Sequence, residues 1–268
     1  MAGDLGGAWE KLHRAREHRQ ALTDEIREII PYDPRYSRLG AYTIRMECER
    51  EGNEYTFYAD EGPGLDTTRC ALIVGDALFN LRSALDHIVF QLHVRHYKGN
   101  IPAGIEKLSA FPICKTRRKK DTSQWSEIGR LSQRHRRAIE FLQPYNTRND
   151  KYRWVRLALH DINALNVIDK HRRLHVIRTA VTSFAVPNLG PGGTHRVFFG
   201  PLIGKTKIMR WTFETVPHDI ASKIKQYGHA TIQIWLDEPG IGGEPVVLLE
   251  AFINNVDEAI RRFELFFR

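Results

Sequence analysis

One long helical segment, residues 70–94, constrains the fold of this chain more than any other part of its sequence. Most of its positions are apolar, so a helix formed by it must be largely buried. At about 100° per residue, its polar side chains form one stripe and one adjacent pair, which are Asp76, Asn80, Ser83 and His87, and Arg82 with Asp86. Burying such groups without partners is costly, so this helix needs complementary groups around it.

Helical periodicity extends over the first two thirds of the chain. Amphipathic or buried helices are predicted at residues 5–30, 67–97, 123–142 and 150–177. Asp66 or Thr67 is expected to cap the second of these helices. A β-hairpin insert is predicted over residues 41–60, around the Gly52-Asn53 turn.

The pattern changes after about residue 176. Short β-rich runs separated by Gly, Pro and Asn turns lie at residues 176–186, 196–199, 207–216, 230–236 and 246–253. Asn254 or Asn255 is then predicted to cap a closing amphipathic helix. We therefore expect an α+β fold, with an N-terminal and central helical bundle at residues 1–178. The β-rich region at residues 179–268 is expected to form an antiparallel sheet closed by the C-terminal helix.

Composition predicts an intracellular protein. No charge-free apolar run approaches the roughly 18 residues of a transmembrane helix, and the first twenty residues contain no apolar signal-peptide core. The cysteines, Cys48, Cys70 and Cys114, are odd in number and far apart, as expected in a reducing cytoplasm without disulfides. We expect a cytoplasmic protein that does not associate with membranes.

Positive charge is concentrated in the middle of the chain. Residues 112–178 carry 17 Lys and Arg against 6 Asp and Glu, a net +11, whereas the whole chain carries +8. Such a field attracts phosphate backbones, although a solvated basic loop beside an ordinary helix surface explains it equally well. The candidate nucleic-acid-binding residues are Lys115, Arg117, Arg118, Lys119, Lys120, Arg134, Arg136 and Arg137.

A second polar cluster lies on the predicted helix at residues 150–177. Asn166, Asp169, Lys170 and Arg173 recur at i, i+3, i+4 and i+7, and therefore share one face. This face could pair with Asp76 and Asn80, or with Arg82 and Asp86, on the earlier helix. Two buried helices exchanging charge-assisted hydrogen bonds would need these residue types for structural reasons alone.

Other motifs carry little functional information. Residues 200–206 resemble a phosphate-binding loop, but they are one residue short between the glycines and precede a predicted strand rather than a helix. His171 and His175 have the spacing of a metal pair, but cations flank them and no acidic residue lies between them. We expect no metal site and no cofactor.

Arg82 and His87, on a bundle helix beside a basic surface, resemble the signature of the HEPN family of metal-independent ribonucleases, an Arg followed four to six residues later by a His. The resemblance covers this motif and the helical context at residues 67–178. It implies that Arg82 binds the scissile phosphate and that His87 acts as general base or acid. It also implies a homodimer and an RNA substrate, as in a bacterial toxin or phage-defence system. Ser83 departs from the Asn, Asp or His that frequently follows the Arg in that family. The string from Asn80 to His87 with the later Asp169–Arg172 is also similar to uncharacterised bacterial proteins.

Two hypotheses follow. The first is a HEPN-like protein that binds or cleaves RNA, with Arg82 and His87 as catalytic residues. The second is a non-catalytic α+β binding or scaffold protein, in which Asp76, Asn80, Asp86, Asn166, Asp169 and Arg173 form an internal network. Exposure distinguishes them, because catalytic side chains must reach a cleft or a dimer interface.

Overall fold

The computed structural model describes residues 3–30, 32–33, 38–39, 45–60, 66–105, 109–117, 125, 128–171, 174–185, 194–198, 200–215, 218 and 229–268. They divide into two compact units, each built from separate segments of the chain. The helical unit comprises Met1–Leu22, Ala71–His175 and Val246–Arg268. The sheet unit comprises Thr23–Cys70 and Val176–Pro245. Helices and antiparallel sheets are thus segregated, which confirms the predicted α+β fold.

The helices of the described residues are α1 (Gly6–Ile29), α2 (Thr68–His96), α3 (Gln133–Phe141), α4 (Arg153–His171) and α5 (Pro245–Glu264). A polar side chain accepts a hydrogen bond from a backbone N–H group at the start of the first four: Asp4, Asp66, Ser132 and Asp150. These bonds satisfy donors that the first turn of a helix leaves without a partner. The predicted cap at Asp66 is confirmed.

The core of the helical unit is formed by apolar stripes of its helices. Fully buried side chains come from α1, α2, α4 and α5, including Leu12, Ala15, Leu78, Leu85, Leu92, Leu159, Ile162, Val256, Ile260 and Phe263. Ion pairs join α1 to α5 at the surface, where Arg16 lies 2.8 Å from Asp257 and Arg19 lies 2.9 Å from Glu250. None of the described helices is both long enough and apolar enough to span a bilayer.

The sheet unit contains two four-stranded antiparallel sheets and a short strand pair. The strands are β1 (Tyr32–Asp33), β2 (Arg38–Leu39), β3 (Arg45–Glu51), β4 (Glu54–Asp60), β5 (Ile177–Ala185), β6 (Thr194–Val197), β7 (Gly200–Pro201), β8 (Thr206–Thr212), β9 (His229–Glu238) and β10 (Ile241–Gly243). One sheet has the order β3-β4-β8-β6, the other has the order β10-β9-β5-β7, and β1 pairs with β2. The apolar side chains of β4 at alternate positions, Tyr55, Phe57 and Ala59, are buried on one face of the strand, and Thr56 between them is buried as well.

The predicted hairpin is confirmed as β3 and β4. Glu51 pairs with Glu54, which leaves Gly52 and Asn53 as a two-residue turn. Gly52 has a φ of +59°, a conformation that glycine adopts without steric cost. A glycine at the first position of the turn is what a type II′ hairpin needs.

Two predicted elements in the second half of the chain are wrong. The run 246–253 is the first half of α5 rather than a strand, and Asn254 and Asn255 lie inside this helix rather than capping it. Pro245 occupies the first helical position, where its missing N–H group is not needed. Burial of Leu249, Phe252, Ile253 and Val256 follows the helical period through the whole segment.

Two predicted helices are shorter in the structure. Within the described residues, α3 begins at Gln133 after a turn at residues 128–131, although the prediction began at residue 123. The bond from the His135 N–H group to Ser132 Oγ, 3.3 Å long, fixes this start. α4 ends at His171, and the described residues 174–176 have no regular secondary structure before β5 begins at Ile177.

The chain alternates between the two units, so a single boundary near residue 178 describes only the crossing between His175 and Val176. The hairpin belongs to the sheet unit because β4 pairs with β8. The C-terminal helix belongs to the helical unit, because Phe263 contacts Phe111 edge to face with ring centroids 6.2 Å apart.

Candidate functional site

Arg82 and Asp86 bind the backbone of Phe111 together. The guanidinium Nη2 of Arg82 donates to the Phe111 carbonyl over 2.7 Å and lies 3.0 Å from Asp86 Oδ1. Asp86 Oδ1 also accepts a hydrogen bond from the Phe111 N–H group over 2.7 Å. The Arg82 side chain is only 12 % exposed. The pair therefore fixes the segment 109–114 on α2 by satisfying both backbone groups of one residue.

Burial dominates the electrostatics of Asp86. It raises the pKa of this carboxyl, while the Arg82 guanidinium and the Phe111 N–H group oppose the rise. Lys170 of α4 and His87 also favour the charged form of Asp86 through space. The Asp86 carboxylate is thus stabilised by the Arg82 and Lys170 cations and by the Phe111 amide.

His87 contacts a different part of the unit. A Cβ atom at Gly7 of α1 would lie 2.6 Å from His87 Nδ1, so only glycine allows this close approach. Five helical positions correspond to about 500°, which turns His87 about 140° away from Arg82. Within the described residues, Arg82 contacts Phe111 and Asp86 whereas His87 packs against Gly7, so the structure does not bring the two predicted catalytic residues together.

Asn80 forms its hydrogen bond within α2, and Asp76 is exposed on the same helix. Asn80 is buried, and its Nδ2 donates to the Asp76 carbonyl over 2.9 Å. The Asp76 residue is exposed, and its charge partly offsets the lowering of the pKa of His18 that burial causes. The predicted stripe therefore makes local contacts along α2 and to α1.

α2 packs against α4 through Gly75 and Phe79, whereas the hydrogen bonds of Asn80, Arg82 and Asp86 described above go to α2 itself and to Phe111. A Cβ atom at Gly75 would lie 2.5 Å from Asp169 Oδ1, so the carboxylate of α4 rests on the backbone of α2. Lys170 Nζ lies 5.0 Å from the ring centroid of Phe79, within cation–π distance. Asn166 is buried, and its Oδ1 has no hydrogen-bond partner among the described residues. Arg173 lies outside the described residues.

The strongest candidate site is a groove along α3. Two adjoining cavities, with volumes of about 360 Å³ and about 580 Å³, share the lining residues Arg117, Arg137, Glu140 and Tyr145. We call them together the α3 groove. The remaining lining residues are Trp125, Gly129, Gln133 and Arg136 at one end, and Phe141, Asn146, Thr147 and Arg148 at the other.

The helical period explains why these side chains converge. Gln133, Arg136, Arg137 and Glu140 occupy positions i, i+3, i+4 and i+7, so they share one face of α3. Ala138 and Ile139 point into the core instead. The segment 142–150 then returns along the helix and adds its own polar groups to the groove.

Charge in the α3 groove is mainly positive. Four arginines, at positions 117, 136, 137 and 148, line it together with one carboxylate, Glu140. Burial, followed by the Glu140 charge, raises the pKa of Tyr145 to about 12, so its hydroxyl stays protonated. Within the described residues, the groove combines fixed cations with hydrogen-bonding and aromatic side chains, as polyanion-binding surfaces do.

The predicted basic residues divide into three groups. Arg117, Arg136 and Arg137 line the groove as expected. The Arg134 guanidinium lies 5.0 Å from the ring centroid of Phe266 instead, and Lys115 is exposed on the preceding segment. Arg118, Lys119 and Lys120 lie outside the described residues.

Sequence patterns did not identify the remaining lining residues. Trp125 is helical but is separated from α3 by the turn at residues 128–131, and Tyr145 and Arg148 lie outside the helices, so no periodicity relates these three residues to α3. Glu140 could have been found from its i+3 and i+4 spacing to the two arginines. Among the described residues, no group of three or more His, Cys, Asp and Glu side chains could hold a metal ion.

Comparison with known proteins adds no functional assignment. No protein-family model matches the sequence, and neither a curated protein nor a solved structure matches it. The function of the chain must therefore be argued from the geometry of the α3 groove and of the Arg82–Asp86 pair.

Proposed function

We propose that the protein binds RNA in the α3 groove. The observation that supports this proposal is the convergence of Arg117, Arg136, Arg137 and Arg148 on one groove that also contains aromatic side chains. Arginine binds phosphate through paired N–H donors, and aromatic rings stack on unpaired bases. The cytoplasmic location expected from the cysteines belongs to the same proposal.

The contacts support RNA binding in the α3 groove better than they support RNA cleavage by Arg82 and His87. Arg82 is occupied by Phe111 and Asp86, and it is largely buried, whereas a phosphate ligand would need its guanidinium free. The homodimer implied by the HEPN resemblance, and a cleavage reaction that depends on it, stay predictions tested below.

The test is a titration of fluorescently labelled single-stranded RNA of about ten nucleotides, followed by anisotropy at several salt concentrations. The variant Arg136→Gln/Arg137→Gln should bind at least about tenfold more weakly at about 50 mM salt. The slope of log affinity against log salt should become shallower by about 1.4, because each phosphate contact on a single strand contributes about 0.7.

The matched control is Arg14→Gln/Arg153→Gln. It removes the same charge from exposed arginines of α1 and α4, outside the groove. Equal losses in the two double variants would show that binding follows net charge rather than the groove. No binding by the wild type at low salt would refute the proposal.

A further inference from the structure

Glu140 has no favourable contact to offer to a phosphate backbone. It is the one carboxylate among the described lining residues of the α3 groove, and its side chain is 44 % exposed. A surface that recognised only phosphates would gain affinity if this position were neutral. Its presence therefore calls for a partner that donates hydrogen bonds.

The contacts within the protein leave Glu140 able to accept such a partner. Arg117 Nη2 lies 3.7 Å from Glu140 Oε1, and the Arg117 side chain is 81 % exposed, so this ion pair is loose. The Tyr145 side chain lines the same groove, and the Glu140 charge helps to raise its pKa, so the two groups lie near each other. A carboxylate has about four acceptor positions, which leaves room for two further donors.

Among the four RNA bases, guanine matches a carboxylate best. Its Watson–Crick edge carries two adjacent donors, the N1–H and the 2-amino group, which can bind both oxygens of one carboxylate. Adenine and cytosine place a ring acceptor beside their amino group, and uracil places carbonyl groups on both sides of its N3–H. The edge is accessible only in an unpaired guanine.

Trp125 adds a second group that suits a base. It lines the same cavity, so its aromatic ring belongs to the wall of the groove. Aromatic side chains in such grooves bind unpaired bases by stacking.

We propose that Glu140 recognises an unpaired guanine of single-stranded RNA in the α3 groove. This inference rests on the proposed function, because the arginines of the same groove must hold the flanking phosphates.

The experiment compares RNAs of about ten nucleotides that are all uridine except for one central base: guanosine, inosine, adenosine or uridine. The wild type should bind the guanosine RNA about tenfold more tightly than the adenosine and uridine RNAs. Inosine lacks the 2-amino group and should fall between them. The variant Glu140→Gln should lose this preference while binding the all-uridine RNA as tightly as the wild type or more tightly.

Glu10→Gln, on the exposed part of α1, is the matched control and should keep the preference for guanine. Equal wild-type affinity for the guanosine and adenosine RNAs would overturn the inference and leave the RNA-binding proposal intact. A folded Glu140→Gln variant that keeps the preference, or that loses binding to all four RNAs equally, would also overturn it. If this variant does not fold, the wild-type comparison of guanosine with inosine decides. Failure to bind any of the RNAs refutes the proposed function itself.

Discussion

Arg156 donates a hydrogen bond to Asp150 Oδ1 over 2.9 Å, and the Arg156 side chain is only 2 % exposed. The same guanidinium bonds the carbonyl of Arg148 at 2.5 Å and that of Phe141 at 3.5 Å. These three partners lie at the two ends of the segment 142–150, which forms one wall of the α3 groove. Arg156 thus holds this wall in place from inside the helical unit.

Replacing Arg156 should lower the stability of the protein and also disturb the wall of the α3 groove. Arg156→Met should lower the free energy of unfolding by about 2–4 kcal/mol, because the Phe141 and Arg148 carbonyls lose their donor and Asp150 loses its ion pair. Urea unfolding measures this change, and the exposed Arg153→Gln should shift it by less than about 0.5 kcal/mol. Arg156→Lys cannot supply the fork of donors, so a fully stable lysine variant would contradict this role.

The contacts of Arg82 and His87 predict different effects for the two residues. Arg82→Ala should lower the free energy of unfolding by about 1–3 kcal/mol, since the buried Phe111 carbonyl loses its donor. His87→Ala should cost less, because the imidazole has no hydrogen bond to the described residues that would be lost. Urea unfolding of both variants checks this, and equal losses would show that His87 also has a structural role.

The same two variants test the HEPN interpretation. If the resemblance extends to activity, wild-type protein cleaves RNA in the presence of a chelator, and both alanine variants lose the activity while staying folded. Gel analysis of a labelled RNA after incubation, with the oligomeric state measured by sedimentation, provides the readout. Cleavage that persists equally in both folded variants would exclude the catalytic assignment.

Gly75 and Asp169 should be energetically coupled. Gly75→Ala brings a methyl group to 2.5 Å from Asp169 Oδ1 and should cost about 1–3 kcal/mol of stability. In the Asp169→Ala background the same substitution should cost much less. A double-mutant cycle by urea unfolding should therefore give a coupling of at least about 0.5 kcal/mol. Additive effects would mean that α2 and α4 separate easily at this contact.

Acidification should destabilise the protein through His135. Burial, reinforced by His96, Arg134, Arg95 and His93, lowers the pKa of His135 below its ordinary value of 6.5. Folding then favours the neutral imidazole, so its contribution is complete above about pH 6.5 and is lost as the pH falls through the lowered pKa. His135→Gln should reduce this loss in thermal unfolding measured from pH 7 to pH 5. An unchanged pH profile in the variant would show that other groups cause it.

Position on α3 should matter more than charge for RNA binding. Arg136→Gln should weaken binding several-fold more than Arg134→Gln, because Arg134 lies over Phe266 while Arg136 lines the groove. Anisotropy titrations of the two single variants against the same RNA provide the comparison. Equal effects would favour the simpler explanation of a diffuse basic field.

Sequence patterns predicted individual helices and the hairpin better than they predicted which elements pack against one another. α1, α2 and the β3–β4 hairpin were found because each satisfies its own local pattern, including the turn at Gly52. The run Val246–Ile253 was misassigned because β-branched and apolar residues suit a strand and a buried helix equally over eight positions. The choice between strand and helix depends on the packing of its buried face against residues of the helical unit that are distant in the sequence.

The site shows the same division. The basic composition of the middle region predicted Arg117, Arg136 and Arg137, and helical spacing could have added Glu140. Tyr145 and Arg148 join them only because Arg156 folds the segment 142–150 back along α3. The spacing of Arg82 and His87 predicted a catalytic pair, whereas in the structure the Arg82 guanidinium donates a hydrogen bond to the Phe111 carbonyl.

The division of the chain between the units also sets an order of assembly during synthesis. The last segment of the sheet unit is Val176–Pro245, so both of its four-stranded sheets can pair before α5 has been made. The helical unit holds the earliest segment, Met1–Leu22, yet its core needs Leu249, Ile260 and Phe263 of α5. The core of the helical unit therefore stays incomplete until Val246–Arg268 has been synthesised, and the apolar surface that α5 covers stays exposed to water until then.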